Sequence, residues 1–511
     1  MLASIASEAL SGLEGKPVQV EADVVAAAPA FYIVGLPDAA VQESRERVRA
    51  AIVNSAYAFP SRRITVNLAP ADLRKEGPSF DLPIALAFLV ATGQAADGCD
   101  GRGPLAAVGE LGLDGTLRPV AGALALAESV RRRGVRGLIL PAANAAEAAL
   151  VGGLEVYPAG SLAEAVAQLA AGGGVTAPPV DLTALLGTPP AAAADFADIM
   201  GQEQVKRALE VAVAGAHNVL MSGPPGAGKT MLARRLPGIM PALTLDEAID
   251  VTRVHSVAGL LPHDQALITQ RPFRAPHHTI SSPGLVGGGG TPRPGEVSLA
   301  HLGVLFLDEF AEFRLAALEG LRQPLEDGEV TISRRLVSLT FPARIMLVAA
   351  MNPCPCGYLG DRLRDCTCPA HRLRQYASRL SGPLLDRIDL RLEVPRAAPR
   401  DRRSGVPAEP SAAVRARVAK ARQRQLTRLA GTGVYANAHM SARHLRRLCS
   451  LEPDATALLD RAYERLRLSA RACDRVIKVA QTIADLEAAP AITSAHIAES
   501  LSYRNRNHHD R

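Results

Sequence analysis

The sequence has little of what marks secreted and membrane proteins. It holds seven cysteines in 511 residues, an odd number with four of them crowded into residues 354–368, so a disulfide framework is not expected. No apolar run reaches the roughly 18 residues that span a bilayer, and the best candidate, residues 82–92, is short and contains Pro83. The first residues also lack the charged region and long apolar stretch of a signal peptide. We therefore expect a cytoplasmic protein without a membrane partner.

The composition is that of a folded chain with several domains. Hydrophobic residues make up 48% of the chain and charged residues 21%, which excludes a disordered protein, and the length suggests two to four domains of roughly 150 residues. The net charge of +6 is unevenly spread, because residues 396–511 hold 22 Lys and Arg against 11 Asp and Glu, whereas residues 1–395 hold 35 against 40. The basic segment is either a solvated helical face or a surface for a polyanion.

Periodicity predicts an α/β domain at the start of the chain. Asp38 and Asp81 are the expected N-caps of two helices in it. Strands are predicted at 17–25, 31–35, 63–69 and 135–140, and helices at 38–54, 82–93 and 161–171.

Glycine- and proline-rich stretches mark the joints between domains. The predicted parts are an N-terminal domain at 1–171, a linker at 172–194, a second α/β domain at 195–398 and a basic helical domain at 399–511. In the last domain the expected helices are 411–430, 441–450, 454–468 and 471–488.

The strongest motif is a phosphate-binding loop between an apolar strand and a helix. It has the form G-x-x-x-x-G-K-T and consists of Gly223, Pro224, Pro225, Gly226, Ala227, Gly228, Lys229 and Thr230. The glycines let backbone N–H groups face the phosphates, Lys229 reaches the β- and γ-phosphates, and the Thr230 hydroxyl ligates Mg²⁺. ATP and Mg²⁺ are the expected cofactors.

Two further strands end in side chains suited to hydrolysis. The apolar run 304–307 leads to Asp308, which would hold Mg²⁺ through water, and to Glu309, which would polarise the attacking water. The apolar run 345–350 leads to Asn352, whose amide would position the same water. The order of these elements favours hydrolysis over nucleotide binding alone.

These residues resemble the AAA+ ATPase superfamily, in the branch that contains magnesium chelatase and the minichromosome-maintenance helicases. The resemblance implies that Arg387, in the run Leu384 to Asp389, is an arginine finger for a neighbouring subunit. It also implies that Arg471 is the sensor-2 residue that contacts the γ-phosphate from the lid, with Arg475 as the alternate. An arginine acting in trans requires a closed ring, and a homo-hexamer is expected.

The chain as a whole resembles the YifB/ComM family of Mg-chelatase-like AAA+ proteins. The resemblance rests on the P-loop together with the segments 31–37, 43–49, 64–73 and 271–279. It implies an α/β multidomain fold: an S5-like, Lon-protease-like N-terminal domain, an AAA+ P-loop αβα core and a C-terminal helical lid like that of magnesium chelatase. It further implies a DNA branch-migration motor used in natural transformation.

The likeness to Lon raises an ATP-dependent protease as a rival function. Ser79 stands where the Lon nucleophile would be, but Ala123, Leu124 and Ala125 occupy the stretch where the partner lysine belongs. Without a base its hydroxyl is a poor nucleophile, so we expect a degenerate domain retained for assembly.

The cysteine cluster has the composition of a structural zinc site. Cys354 and Cys356 form one arm, and Cys366 and Cys368 form the other. Four thiolates suit tetrahedral Zn²⁺, although C-x-C is tighter than the common spacing, and His371 is an alternative ligand. Reduced thiols without a metal remain the other interpretation.

Two segments are candidates for gripping a substrate. The β-like runs in 330–340 surround Arg334 and Arg335 and resemble the pre-sensor hairpin of related helicases, where a basic residue tracks a phosphate backbone. The second candidate is the glycine-rich loop 283–290, which follows His277 and His278; for these histidines we favour a substrate-loop or packing role.

Two classes of function share this ATP site. One is a ring-shaped motor acting on DNA without sequence specificity, favoured by the basic C-terminal part and the paired arginines. The alternative is a chelatase-like ATPase that remodels a partner protein.

Overall fold

The computed structural model describes residues 1–97, 103–187, 194–262, 265–289, 292–334, 337–361, 363–396 and 408–504. The chain forms two compact units. Unit 1 comprises Met1–Gly187 and Leu245–Ile268, and unit 2 comprises Thr188–Thr244 and Thr269–Arg511. Among the described residues, no helix has the length and apolar character needed to cross a bilayer.

The secondary structure is numbered along the chain. The strands are β1 (Leu2–Ser11), β2 (Glu14–Val25), β3 (Ala30–Val34), β4 (Arg63–Ala69), β5 (Leu105–Ala107), β6 (Glu110–Leu111), β7 (Leu117–Arg118), β8 (Gly137–Pro141), β9 (Glu155–Ala159), β10 (Val219–Ser222), β11 (Phe273–Arg274), β12 (Gly287–Gly288), β13 (Arg293–Pro294), β14 (Val304–Leu307), β15 (Glu329–Arg334), β16 (Val337–Pro342), β17 (Met346–Met351) and β18 (Leu390–Glu393). The α-helices are α1 (Ala39–Asn54), α2 (Asp81–Ala91), α3 (Ala123–Arg132), α4 (Ala145–Ala148), α5 (Leu162–Ala170), α6 (Leu182–Gly187), α7 (Glu203–Gly215), α8 (Lys229–Ile239), α9 (Leu245–Val257), α10 (Ser282–Val286), α11 (Glu296–Leu299), α12 (Leu315–Gly320), α13 (Arg322–Asp327), α14 (Ala370–Ala377), α15 (Gly382–Leu385), α16 (Ser411–Leu429), α17 (Ala442–Leu448), α18 (Pro453–Leu466), α19 (Ala470–Glu487) and α20 (Ser494–Ser502).

Unit 1 is built on a mixed sheet with the strand order β3-β4-β2-β1-β5-β8-β9. The predicted strands and helices of this region are confirmed, but β1 was missed. It pairs with β2 along its whole length, from Leu2 opposite Asp23 to Ser11 opposite Glu14, and lies in the middle of the sheet. Its residues are largely Ala and Ser, so the apolar alternation that marks a half-buried strand is weak in the sequence.

Of the two predicted N-caps in unit 1, one caps its helix and the other does not. Asp38 caps α1, since its carboxylate accepts the backbone N–H of Val41 at 2.8 Å. The expectation for Asp81 is wrong, because Asp81 is the first residue of α2, fully buried, and accepts Nε of Arg47 at 2.7 Å. Burial raises the pKa of Asp81, and the hydrogen bonds from Arg47 and Ser44 partly offset that rise. The Asp81 carboxylate therefore links α1 to α2 instead of capping the N-terminus of α2.

One segment of unit 1 comes from within the range predicted for the second α/β domain. Residues 245–268 pack with the N-terminal part of the chain. Arg253 on α9 pairs with Glu128 on α3 at 2.7 Å, and the N–H of Gly122 donates to the carbonyl of Ser256 at 3.0 Å. The three-part division of the chain stays a prediction, and this exchange of a segment was not foreseen.

Unit 2 is built on a parallel sheet with the strand order β11-β14-β17-β10-β18. The three strands predicted around the nucleotide motif are confirmed as β10, β14 and β17. They are almost fully buried, as continuous apolar runs in a parallel sheet should be. Because all five strands run the same way, their carboxyl ends meet at one edge, which is where such sheets bind ligands.

The C-terminal helices of unit 2 are α16 to α20, and the four that were predicted are confirmed. Two of them, α16 and α19, pack on α7, and α16 also packs on α8, through a core that includes Val414, Val418 and Ile483. Part of the basic excess of this region is used in ion pairs within the unit: Arg428 binds Asp485 at 2.6 Å and Arg417 binds Glu210 at 2.7 Å.

Asp389, next to β18, is expected to stabilise unit 2. It is buried, accepts the N–H of Asn218 at 3.0 Å and lies 3.5 Å from Nε of Arg475. Burial raises the pKa of Asp389, but the interaction with His217 and the charge of Arg475 outweigh it, so the pKa lies below its usual value. Asp389→Asn should cost about 3 kcal/mol because it leaves the buried guanidinium of Arg475 without its carboxylate, which a lower urea midpoint would reveal.

This stabilisation should depend on pH with a definite sign. A carboxylate whose pKa is lowered by folding stabilises the folded state above its unfolded pKa and stops doing so as the pH falls through its folded value. The difference between wild type and Asp389→Asn should therefore shrink in acid. A difference that stays constant from neutral pH into the acid range would contradict the assignment.

Candidate active site

The nucleotide loop joins β10 to α8 at the carboxyl edge of the parallel sheet. Gly226 and Gly228 have φ angles of +77° and +88°, left-handed values that favour glycine. A Cβ at Gly223 would lie 2.2 Å from the carbonyl oxygen of Val394. The loop therefore depends on glycine, and it delivers the chain to the N-terminus of α8, where backbone N–H groups can face an anion.

Lys229 is the buried cation of this loop. Its Nζ donates to the carbonyl oxygens of Gly223 and Pro224 at 2.6 and 3.1 Å and to Oδ1 of Asn352 at 3.1 Å. Burial lowers the pKa of Lys229, and the charge of Asp308 partly offsets this. An ammonium group whose hydrogen bonds go to neutral oxygens fits the β- and γ-phosphates of a nucleotide.

Thr230 and Asp308 supply the oxygens that suit Mg²⁺. The Thr230 hydroxyl donates to Oδ2 of Asp308 at 2.6 Å, so the two predicted ligands, 78 residues apart, are in contact. The other carboxylate oxygen of Asp308 accepts the N–H of Glu309 at 2.9 Å. A hydroxyl and a carboxylate beside a phosphate loop form the hard donor set that this ion prefers, so the residues fit a Mg²⁺–ATP complex.

Glu309, the predicted base, is held by a histidine. It follows β14 with a φ of +51°, and its exposed carboxylate oxygen Oε2 lies 3.1 Å from Nδ1 of His278. His278 also packs against His277, with ring centroids 4.1 Å apart. The sequence favours a substrate-loop or packing role for these histidines. The contact with Glu309 was missed, although neighbouring parallel strands β11 and β14 end at the same edge and could have indicated it.

Asn352 lies beside the P-loop, as the order of the strands predicts. It follows β17, its side-chain oxygen accepts from Lys229, and its carbonyl accepts the hydroxyl of Tyr376 at 3.1 Å. Burial raises the pKa of Tyr376 to about 12, so this donor keeps its proton at neutral pH. Its role in orienting water stays a prediction.

Arg387, the predicted finger, lies at the opposite edge of the sheet from the P-loop. The side-chain amide of Asn218, which precedes β10, donates to the carbonyl of Arg387 at 3.0 Å. The P-loop follows the other end of β10, and a four-residue strand at about 3.3 Å per residue separates the two edges by on the order of 13 Å. The guanidinium donates to the carbonyl of Pro383 at 2.7 Å and pairs with Glu326.

The two candidates for sensor 2 lie on α19 near that same edge. Arg475 is largely buried and is committed to Asp389, whereas Arg471 is exposed. The hydrogen bond and charge of Arg387, with a smaller contribution from Arg471, lower the pKa of Glu326. Arg387 and Arg471 thus act on one carboxylate, and Arg471 is the candidate left open to solvent.

The four cysteines converge as a metal site requires. Their Sγ atoms all lie within 4.8 Å of one another, and three of the pairs are 3.3, 3.6 and 3.7 Å apart. A tetrahedron with Zn–S bonds of about 2.3 Å has edges of about 3.8 Å. The N–H of Cys356 also donates to Sγ of Cys368 at 3.3 Å. The alternative ligand His371 is not part of the cluster found among the described residues.

The candidate substrate segments lie next to each other. Arg334 ends β15, where its backbone pairs with Val337 of β16, while Arg335 lies outside the described residues. The glycine-rich strand β12 packs on this hairpin so closely that a Cβ at Gly287 would lie 2.9 Å from Cδ1 of Ile332. A cleft of about 540 Å³ runs between the two and is lined by Pro283, Val286, Arg322, Thr331 and Ile332.

Ser79 of unit 1 lies in a short 3₁₀ turn whose carbonyl accepts the N–H of Gly109 at 2.8 Å. The positions expected to lack a lysine, Ala123 to Ala125, are buried on α3. Lys75, four residues before Ser79 in the chain, is fully buried, and burial lowers its pKa. Its ammonium group donates to the carbonyl of Pro70.

Gln202 is a residue of the site that the motif search missed. Its side-chain amide donates to the carbonyl of Ala227 in the P-loop at 2.9 Å and to that of Pro395 at 2.8 Å. It therefore ties the loop to the segment that follows β18. Its positive φ of 59° is rare outside glycine, but no pattern in the sequence indicates it.

The sheet order, the P-loop and the acidic strand of unit 2 define an AAA+ ATPase, a class that uses ATP and Mg²⁺. Family models agree: "Magnesium chelatase, subunit ChlI" matches residues 195–402, "Subunit ChlI of Mg-chelatase" matches 20–144 and "Magnesium chelatase, subunit ChlI C-terminal" matches 408–504. The chain belongs to the YifB/ComM family of magnesium-chelatase-like AAA+ proteins, as its relatives show.

Several relatives match almost the whole chain, among them two that carry the names used for the family. The chain is 43% identical over 506 residues to the uncharacterized protein YifB of Escherichia coli, and 44% identical over 508 residues to the competence protein ComM of Haemophilus influenzae. Each match covers 98% of this chain and 97% of the relative. A shorter match, 34% identity over 149 residues, relates 26% of the chain to Lon protease 2 of Bacillus subtilis. The predicted fold class, with a Lon-protease-like N-terminal domain, an AAA+ core and a helical C-terminal domain, is confirmed.

Proposed function

We propose that the protein is a homo-hexameric, ATP-driven motor that moves DNA without reading its sequence, in branch migration during transformation or recombination. The observation that carries this proposal is the position of Arg387. It lies at the sheet edge remote from its own P-loop, so a complete ATP site needs the arginine of a second copy. Copies that meet head to tail in this way close into a ring.

Within one ATP site, this chain's residues divide the work. Lys229 and the N-terminus of α8 bind the phosphates, and Thr230 with Asp308 holds Mg²⁺, which neutralises charge on the phosphates. Once the carboxylate of Glu309 moves away from His278, it accepts the proton of the attacking water. Asn352 orients that water. From the neighbouring subunit, Arg387 and the exposed Arg471 meet the γ-phosphate together. We further propose that the four cysteines hold a structural Zn²⁺.

The hairpin and the glycine-rich loop form the surface that grips DNA. They lie against each other, so strand movement that shifts one segment also shifts the other. Glu326, the partner of Arg387, lies on α13, which immediately precedes β15. A movement of the hairpin can therefore be transmitted through α13 and Glu326 to Arg387, which completes the neighbour's ATP site.

Replacement of Arg334 and Arg335 by alanine tests the motor. Basal ATPase activity should stay near that of wild type because the change does not touch the phosphate site. Stimulation by DNA and strand movement should be lost, and wild-type binding should fall steeply with salt because phosphate contacts release counterions. ATPase assays and strand-displacement assays with single-stranded, forked and four-way DNA provide the measurement.

The matched control removes the same charge elsewhere. Arg131 and Arg132 form an exposed pair on α3 in unit 1, and their replacement by alanine should leave stimulation intact. If wild type fails to bind DNA at about 50 mM salt with a slowly hydrolysed ATP analogue, the motor proposal fails. The chelatase-like remodelling of a protein partner would then take its place.

A further inference from the structure

The cysteine cluster is in direct contact with the nucleotide loop. Gly357, the residue after Cys356, has a φ of +86° and faces Pro225 of the P-loop. A Cβ at this glycine would lie 2.7 Å from Cδ of Pro225 and 3.9 Å from Cγ of Asn352. The ring of Pro225 is rigid, so neither side of this contact can move aside by a change of rotamer.

A second connection runs through the backbone. Asn352, which accepts a hydrogen bond from Lys229, is only two residues before Cys354. The N–H of Gly357 donates to the carbonyl of Cys354 at 2.9 Å and closes a tight turn. The same turn thus carries two cysteines, the contact with Pro225 and the chain that leads to Asn352.

The far side of the cysteine loop is anchored to the segment after β18. The ring of Tyr358 lies under the guanidinium groups of Arg364 and Arg396, at 4.2 and 5.8 Å from its centroid. Arg396 also lies 3.3 Å from Asp361. Since Gly223 packs against Val394, the P-loop is enclosed between two segments that the cysteine loop connects.

We propose that metal bound to the four cysteines holds the nucleotide loop in its ATP-binding shape, so that affinity for ATP depends on zinc. The inference rests on the zinc site proposed above. The loop between the two cysteine arms is short and polar, and metal–thiolate bonds supply the folding free energy that such a loop lacks. Without them Gly357 no longer supports Pro225, and the backbone N–H groups of the P-loop lose the arrangement that phosphate requires.

The test compares zinc content and ATP affinity in four proteins, without DNA. Cys366→Ser/Cys368→Ser should lose the metal and bind a fluorescent ATP analogue about tenfold more weakly. Gly357→Ala should keep its zinc, because the cysteines are intact, and should still lose affinity because its Cβ displaces Pro225. Gly433→Ala is the control: its φ is +71°, but nothing lies within 4 Å of the new Cβ, so it carries the backbone strain without the contact.

Several results would overturn the inference. Less than about 0.3 Zn per chain in wild type purified without chelator would remove the metal itself. A folded, zinc-free cysteine variant with wild-type affinity would show that the loop does not control the site. Equal affinities for Gly357→Ala and Gly433→Ala would show that the contact with Pro225 has no effect. Failure of the DNA motor would leave all these results unchanged, so the two proposals fail separately.

Discussion

Glu309→Gln should bind ATP as tightly as wild type and hydrolyse it on the order of 10²- to 10⁴-fold more slowly, since a general base typically contributes that much. The amide keeps the size and hydrogen-bonding capacity of the carboxylate but cannot accept a proton from water. Because Glu309 is exposed and contacts His278 rather than the P-loop, its replacement should not disturb the loop. Steady-state phosphate release and binding of a fluorescent nucleotide measure the two effects separately.

Lys229→Ala is the contrasting variant. It removes the buried cation that bonds to the P-loop carbonyls and Asn352, so it should abolish binding as well as turnover. Glu309→Gln should instead trap ATP and an assembled ring. Wild-type turnover by Glu309→Gln would show that another group activates the water.

The second large effect concerns Arg387, which we propose acts between subunits. Arg387→Ala should be inactive by itself, because every ATP site in its ring lacks the finger. Mixed with Lys229→Ala it should regain part of the wild-type activity, since an Arg387→Ala subunit with an intact P-loop can face a neighbour with an intact arginine. ATPase activity measured over a range of mixing ratios should be highest at intermediate ratios and close to zero for either variant alone.

A mixture of Lys229→Ala with Glu309→Gln is the matched control. Both changes damage the same side of the site, so no arrangement of these subunits restores a complete one. Rescue in this control, or none with Arg387→Ala in rings whose assembly is normal by light scattering, would argue against action in trans.

Much of the ATP site could be predicted because it is encoded in short, local patterns. Consecutive residues supply the P-loop, and an apolar run before Asp308 identifies a buried strand and its end. The parallel sheet then brings the ends of β10, β14 and β17 to one edge, so that Thr230 and Asp308 meet although 78 residues separate them. The C-terminal helices could be predicted equally well, since apolar residues at helical spacing identify a buried face without reference to its partner.

The sequence by itself determined the class of protein, the order of its elements and the candidate residues of its phosphate site. Tertiary structure alone decided the contacts between segments that are remote in the chain. Residues 245–268 pack in unit 1, and Asp81 is a buried link between two helices, not a cap. His278 contacts Glu309, and Gly357 contacts Pro225. The physical reason is that periodicity shows which side of an element is buried but carries no information about which distant surface covers it.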